Sequence, residues 1–492
     1  MHDQGQPQTP DRKPRFGVRA SRRLAPALAA LALLLVPASP AHAARPLELG
    51  FTSFSDGLFV NADPAVRNLW LGRASDAGAG MVLLGAHWRN IAPQNPTAAF
   101  DPRDPASLGY SFQTLDAGVR DATAHGLKVM IVVTNAPSWA EGPDNPHNGL
   151  VGTWKPNPGD VADFGTAIAT RYSGRFVDPA SPQSGPLPAV RLWQLWGEPN
   201  LSVNLTPQYE NGNAVAAEVY RLMLNAFYPA VKAVDSHNKV VTGGLAPYGD
   251  PPGGFRFRTR PLAFLRQLLC LRGRKHPHKT QCSAKPSFDV LADNPITLGG
   301  GPRTSAINPD DVSSADLGNV RDVLRAAERA HTINPGGKHP LWATEFWWAS
   351  NPPAAGGVRP ARQARWVEES LYLYWKAGAS AAIMLQIKDN DLEFLGGTGL
   401  YFADGRPKPS LTAFRFPFVA ERRSKRSVAL WGKAPTGGKL QIRRRSSGHW
   451  RTIKKLHVRR GSVFSTRARF QGSAKLEARV GGQESLVWKL GH

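Results

Sequence analysis

Two short stretches each end an apolar run on a carboxylate bracketed by tryptophan. In "VRLWQLWGEPN" (190–200) the acid is Glu198, held between Gly197 and Pro199. In "HPLWATEFWW" (339–348) it is Glu345. One acid at the end of a strand is common. Two, flanked by Trp196 and by Trp347 and Trp348, describe a pair of carboxylates in an aromatic-walled cleft. Such a pair suits cleavage of a glycosidic bond. One acid stays protonated and delivers its proton to the leaving oxygen, while the other stays ionised and attacks or stabilises the sugar carbon. Mutual repulsion and an apolar wall hold one pKa high while the other stays low. The alternative for the same two residues is a buried ion pair with arginines of the scaffold.

Acids this far apart in the chain meet only if the fold ends several strands at one mouth. Eight apolar runs predict such strands, at 47–54, 80–87, 127–134, 190–198, 239–244, 288–294, 340–345 and 380–387. Being almost continuously apolar, they suit parallel strands covered by helices on the outside. Helical periodicity fills the gaps, as in 207–234 and 316–331. Eight alternating units imply a closed barrel with its chemistry at the C-terminal strand ends. From about residue 422 short alternating runs with Gly and Ser between them predict a small antiparallel sandwich. The predicted class is therefore α/β: a (β/α)8 TIM barrel over 45–420 followed by an all-β antiparallel sandwich domain over 421–492.

Residues 1–44 read as a leader. Six basic residues from Arg12 to Arg23 precede "LAPALAALALLLVPAS", and "AHA" closes it at Ala43, the pattern of a secretory signal. "SRRLA" also hints at twin-arginine export. A membrane anchor, the alternative, needs about 20 apolar residues, and Pro26, Pro37 and Pro40 interrupt this run. The chain is thus expected to be secreted or on the cell envelope after cleavage near Ala43, with no stable transmembrane span. In an oxidising compartment Cys270 and Cys282, its two cysteines, are most simply a disulfide. A metal site with His276 and His278 is the alternative, but it lacks a second pair in a recognised spacing. No metal and no organic cofactor is expected.

The formal charge of +24 is unevenly spread: residues 421–492 carry 19 Lys or Arg against 3 Glu, and the barrel segment is near neutral. That argues against nucleic-acid binding by the central region. The tail has two readings, a solvated face or adhesion to anionic envelope polymers or acidic polysaccharides. Its aromatic residues are expected to form a core.

"LWQLWGEPN" with "HPLWATEFWW" resembles the clan of retaining (β/α)8-barrel glycoside hydrolases, of the cellulase family 5 and family 39 type. "HWRNIAP" (87–93), "VTNAPSWA" (133–140) and "GLYFADGRPKPSLTAFRF" (399–416) add to the likeness. The resemblance implies a carbohydrate substrate, with Glu198 as acid/base and Glu345 as nucleophile. His87, Trp88, Asn135, Trp139, Asn294, Trp347, Trp348 and Gln386 are the expected substrate contacts. The departures are specific. Gly197 stands where the family has the Asn that holds the sugar 2-hydroxyl, and "DNPI" (293–296) puts Ile296 where a tyrosine would bond the nucleophile. "VLLGAHW" lacks an arginine that supports the nucleophile, and "MLQIKDND" lacks a sugar-stacking tryptophan. Asn294, Gln386, Lys388 or His87 are the expected substitutes. The rival expectation is a non-catalytic carbohydrate-binding barrel, attached to the envelope through its basic tail.

Overall fold

The computed structural model describes residues 44–54, 57–147, 149–251, 258–392 and 395–491. Apart from Ala44, the leader expected over residues 1–44 lies outside them. The eight apolar runs form parallel strands: β1 (Glu48–Thr52), β2 (Met81–His87), β3 (Lys128–Thr134), β4 (Leu192–Leu195), β5 (Lys239–Thr242), β6 (Leu291–Asp293), β7 (Leu341–Phe346) and β8 (Ala379–Met384). They pair in the order β6-β7-β8-β1-β2-β3-β4-β5. A Val241–Val290 bridge, with the Thr242 N–H donating to the Val290 carbonyl at 3.0 Å, joins β5 to β6 and closes the ring.

At least one helix follows each strand, the main ones being α1 (Pro64–Asp76), α2 (Gln113–Ala124), α3 (Pro158–Arg171), α4 (Ala216–Val234), α5 (Pro261–Leu268), α6 (Leu317–Arg329), α7 (Pro360–Ala377) and α8 (Pro409–Arg415). Proline opens α1 and α3, where its missing N–H costs nothing, and the side chains of Asp63 and Asn157 cap their first turns. The single helix expected over 207–234 is shorter. Asn211 and Gly212, both at positive φ, turn a two-residue hairpin (Tyr209–Glu210 with Asn213–Ala214) ahead of Ala216.

Strand alternation builds two cores. Met81, Leu83, Met130, Val132, Val241, Ala292 and Ile383 fill the barrel interior. Their neighbours, among them Val82, Ile131, Trp193 and Leu195, pack outward under the helices.

The tail is the expected antiparallel sandwich: β9 (Phe418–Arg422), β10 (Ser427–Lys433), β11 (Gly438–Ser446), β12 (His449–Val458), β13 (Val463–Arg469), β14 (Ala474–Val480), β15 (Gln483–Glu484) and β16 (Trp488–Leu490). One sheet runs β9-β10-β13 and the other β12-β11-β14-β15, with β16 on β14. Trp431 and Trp488 are buried in its core. Its first strand starts at Phe418, just inside the segment expected to be barrel. Glu421 ties the seam, accepting from Tyr372 Oη at 2.7 Å and Lys376 Nζ at 3.3 Å. Cys270 and Cys282 are disulfide-bonded, which displaces the metal alternative for that loop. No helix among the described residues is long and apolar enough to cross a membrane.

Candidate active site

Glu198 leaves the end of β4 on an unusual backbone. Trp196 (φ 69°) and Glu198 (φ 45°) both occupy the left-handed region, a conformation that costs a non-glycine residue about 1–3 kcal/mol. Surrounding bonds hold it there. The Trp196 N–H donates to the Val133 carbonyl at 2.7 Å, and its indole N–H to the Asn204 carbonyl at 2.7 Å. The Glu198 N–H donates to the Gly244 carbonyl at 2.9 Å, and the Leu201 N–H donates to the Glu198 carbonyl at 3.0 Å. Asn200 is buried and pins two loops, donating to the Ala246 and Thr259 carbonyls at 3.0 Å each. Held strain of this kind turns the Glu198 carboxyl into the barrel mouth.

Glu345 reaches the same mouth by another device. Ala343 pairs with Ala382 but Phe346 pairs with Met384, so β7 carries one extra residue over this span. Ala343 and Phe346 both pack into the helix-side core. The bulge between them frees Glu345 to turn inward, as bulges beside active sites often re-aim a side chain.

Asn294, just past β6, completes the centre. Its Nδ2 donates to Glu198 Oε1 at 3.1 Å, and its Oδ1 accepts from Thr344 Oγ1 at 2.9 Å. Gly244 makes this contact sterically open, because a Cβ there would fall on the Asn294 amide oxygen and the Thr344 hydroxyl. The electrostatics follow from this geometry. Burial pushes the Glu345 carboxyl up to about 8, and the nearby Glu198 charge adds to the rise. Burial also raises Glu198, opposed by the Asn294 N–H. No hydrogen bond reaches the Glu345 carboxyl among the described residues, and neither glutamate forms an ion pair there. The pair therefore shares a proton near neutrality, and the Asn294 N–H on Glu198 favours the charge there.

Sequence reasoning passed over a third acid. Asp293 is fully buried with neither carboxyl oxygen hydrogen-bonded among the described residues. Burial, then the Glu198 charge, holds its pKa well above the ordinary range. It was visible in "DNPI", but strand phase assigns the mouth to Asn294 and turns its neighbour outward. Thr344 and Gly244 were likewise missed. Their signals, the Thr-Glu step and the Gly-Gly pair after β5, gain meaning only once Asn294 sits between them.

The remaining expected contacts divide. His87 is exposed at the end of β2, its Nδ1 within 3.0 Å of Thr134 Oγ1 and 3.2 Å of Asn135 Oδ1. The space left at Gly197 borders Thr134, 3.9 Å from where a Cβ would stand. His87 and Asn135 thus lie beside the place of the absent amide. Trp347 faces a cavity of about 990 Å³, shared with Leu298, Val358, Trp366 and Asn390. Neither glutamate lines it, but Trp347 is two residues past Glu345.

Several expectations shift. Trp88 is only 1% exposed, stacked on Phe164 at 5.0 Å, and drops out of the substrate contacts. Trp139 is half-buried against Trp88 and donates its indole N–H to the Pro93 carbonyl at 2.8 Å. Trp348 is buried with its N–H on Ser370 Oγ at 2.9 Å, leaving an edge to the cavity. Gln386 is buried and holds the loop after β8, donating to the Leu395 carbonyl at 2.9 Å and accepting from Asn390 at 3.0 Å. Lys388 turns away, its ammonium 5.5 Å from the Trp70 ring. The loop acid Asp389 is buried against Lys408 at 2.6 Å. No group of three or more His, Cys, Asp or Glu among the described residues is arranged to hold a metal ion.

No protein-family model matches the chain, and no curated protein matches it. Solved structures do. A family 39 glycoside hydrolase from the gut symbiont Bacteroides cellulosilyticus WH2 superposes with a TM-score of 0.50 at 16% identity, over 87% of this chain and 81% of that one. A glucosidase from Croceicoccus marinus does so with a TM-score of 0.50 at 14% identity, over 89% and 97%. At such identities the likeness is one of fold, a (β/α)8 barrel with an appended β-sandwich.

Proposed function

We propose that the chain is an exported glycoside hydrolase that cuts O-glycosidic bonds by a retaining double displacement. The observation that carries this reading is the placement of Glu198 and Glu345 at one barrel mouth, close enough for the charge of one to raise the pKa of the other. Glu345 attacks the anomeric carbon, and the bond to the leaving oxygen breaks as Glu198 supplies its proton. Glu198 then takes a proton from water, which displaces Glu345 and releases the sugar. In the free protein the shared proton favours Glu345, so the productive state needs it on Glu198. Positive charge developing at the sugar carbon stabilises the Glu345 anion and drives that exchange. His87 and Asn135, beside the gap at Gly197, are the donors offered to the first sugar.

The test is a panel of aryl glycosides and polysaccharides read with the wild type, Glu198→Gln and Glu345→Gln. Both variants should lose turnover. An activity-based label should attach to Glu345, and the first product should keep its anomeric configuration. Full turnover in either variant removes that residue from the mechanism.

One observation favours a second reading, a barrel that binds carbohydrate without cutting it: no donor stabilises the Glu345 anion among the described residues. Glycan binding with no product across the panel would select it.

A further inference from the structure

The barrel segment is close to neutral overall, but its cations are not evenly placed. Helix α6 carries Arg321, Arg325 and Arg329 at i, i+4 and i+8, one face of the helix over about 12 Å of its axis. The helix precedes β7, so its C-terminal end lies at the floor of the barrel, opposite the mouth that holds Glu198 and Glu345. Two cavities flank the helix, of about 720 and 600 Å³, and Arg325 and Arg329 line both; the second runs from them along α5 and α6 as far as Leu262 and Asn319.

Each cavity draws further cations from other elements. Arg45, entering β1, and Lys338, entering β7, line the first. Arg274 and Lys275 line the second. They sit at the tip of a hairpin (Leu271–Arg272 with His278–Lys279) closed by the Cys270–Cys282 disulfide. Arg325, Arg329, Arg274, Lys275 and Lys338 are exposed, and none has an ion-pair partner among the described residues. The acids present are few. Glu328 accepts the His339 backbone N–H at 2.6 Å, Asp310 is taken by Arg266 at 2.9 Å, and Asp322 alone faces the second cavity unpaired.

The cations repel one another. Burial and then the Arg325 charge lower the pKa of Arg45, and burial, then Arg325, lower that of Arg321. Arg321 also keeps a buried Nε with no acceptor. One arginine in the last turn would satisfy the helix dipole. A ladder of three, joined by a disulfide-tied basic hairpin, exceeds that need and lowers stability unless an anion neutralises it.

We propose that this floor of the barrel is a binding trough for an acidic polysaccharide, whose repeated oxyanions bridge the two cavities across Arg325 and Arg329. The guanidinium fork takes carboxylate or sulfate in a bidentate grip. Continuity of two cavities around one arginine pair favours an extended chain over a single small anion. No Phe, Tyr or Trp lines either cavity, so the stacking platform that single-stranded nucleic acid uses is missing. The trough lies outside the site that cuts, and it stands whether or not the barrel is a hydrolase.

The experiment uses the full chain on immobilised polygalacturonate and heparin, with neutral dextran as control. Arg325→Glu with Arg329→Glu should weaken binding by about tenfold or more and flatten its salt dependence by about one to two log units per log unit. Lys455→Glu with Lys475→Glu and Lys489→Glu, on the sandwich, should leave most of the binding in place. Turnover of any aryl glycoside should be the same in all three proteins, which separates this site from the catalytic one. Unchanged binding by the α6 variant, no binding by the wild type, or loss confined to the sandwich variant overturns the trough. Duplex DNA or polyphosphate binding as tightly as the polysaccharides overturns the assignment of its occupant.

Discussion

Replacing Glu345 by Gln should make the protein more stable, and by an amount that grows with pH. In the folded state the carboxyl titrates near 8 instead of 4.5. Below about pH 4.5 it is protonated both folded and unfolded, and burial costs nothing through ionisation. Above that, the unfolded chain ionises freely while the folded one must keep the proton or bury a charge. The native state therefore loses stability from about 4.5 to about 8, the reverse of a salt-bridged carboxylate. Each pKa unit is worth about 1.4 kcal/mol, so the full shift sets a ceiling of about 5 kcal/mol above pH 8 and about 3 kcal/mol at pH 7. Partial contact with water brings the realised gain below that ceiling. Glutamine keeps the shape without the titration, so Glu345→Gln should match the wild type near pH 4 and exceed it by a few kcal/mol near pH 8. Urea unfolding of both proteins at about pH 4, 6 and 8 measures it. A difference that stays flat across that range would refute the buried, shared-proton description of the pair.

Gly244→Ala should cost about 1–3 kcal/mol and most of the turnover, because its Cβ displaces the Asn294 side chain from Glu198; thermal unfolding and kinetics check both. Asn294→Ala removes the N–H on Glu198, so the Glu198 pKa should rise and the limb of the pH–rate profile that it governs should move to higher pH. Cys270→Ser with Cys282→Ser opens a loop of twelve residues' separation. It should lose up to about 3 kcal/mol of stability while leaving kcat unchanged, since that hairpin is at the barrel floor.

The parts of this fold that obey a period were legible. Apolar runs placed all eight barrel strands, and their parallel order follows from the helices between them. Glu198 and Glu345 were legible because tryptophan and a strand end mark each. What escaped depends on broken periods. The extra residue in β7 decides which side of the sheet Glu345 faces, and nothing in "LWATEFWW" declares a bulge. Trp88, by contrast, keeps the phase of Val82, Leu84 and Ala86 and packs with them in the helix-side core, so the period itself withdrew it from the mouth. Net charge concealed the α6 ladder for a different reason: summing over a domain erases where its charges sit.

Missing donors and shared proton are two sides of one arrangement. A tyrosine or arginine beside Glu345 would stabilise its anion and lower its pKa; with Ile296 and "VLLGAHW" in their places, burial and Glu198 act unopposed. The Asn294 amide serves Glu198 instead. Its anchor, Thr344, is the residue before Glu345, so a single hydrogen-bonded link ties both strand ends to the partner that holds the charge. In the proposed mechanism a proton resting on Glu345 must move to Glu198 before attack. That places a cost of proton exchange on kcat rather than on binding. An Ile296→Tyr substitution that reached Glu345 should lower the Glu345 pKa and raise kcat with little change in KM. A rise in KM alone, with kcat unmoved, would mean that proton placement does not limit the reaction.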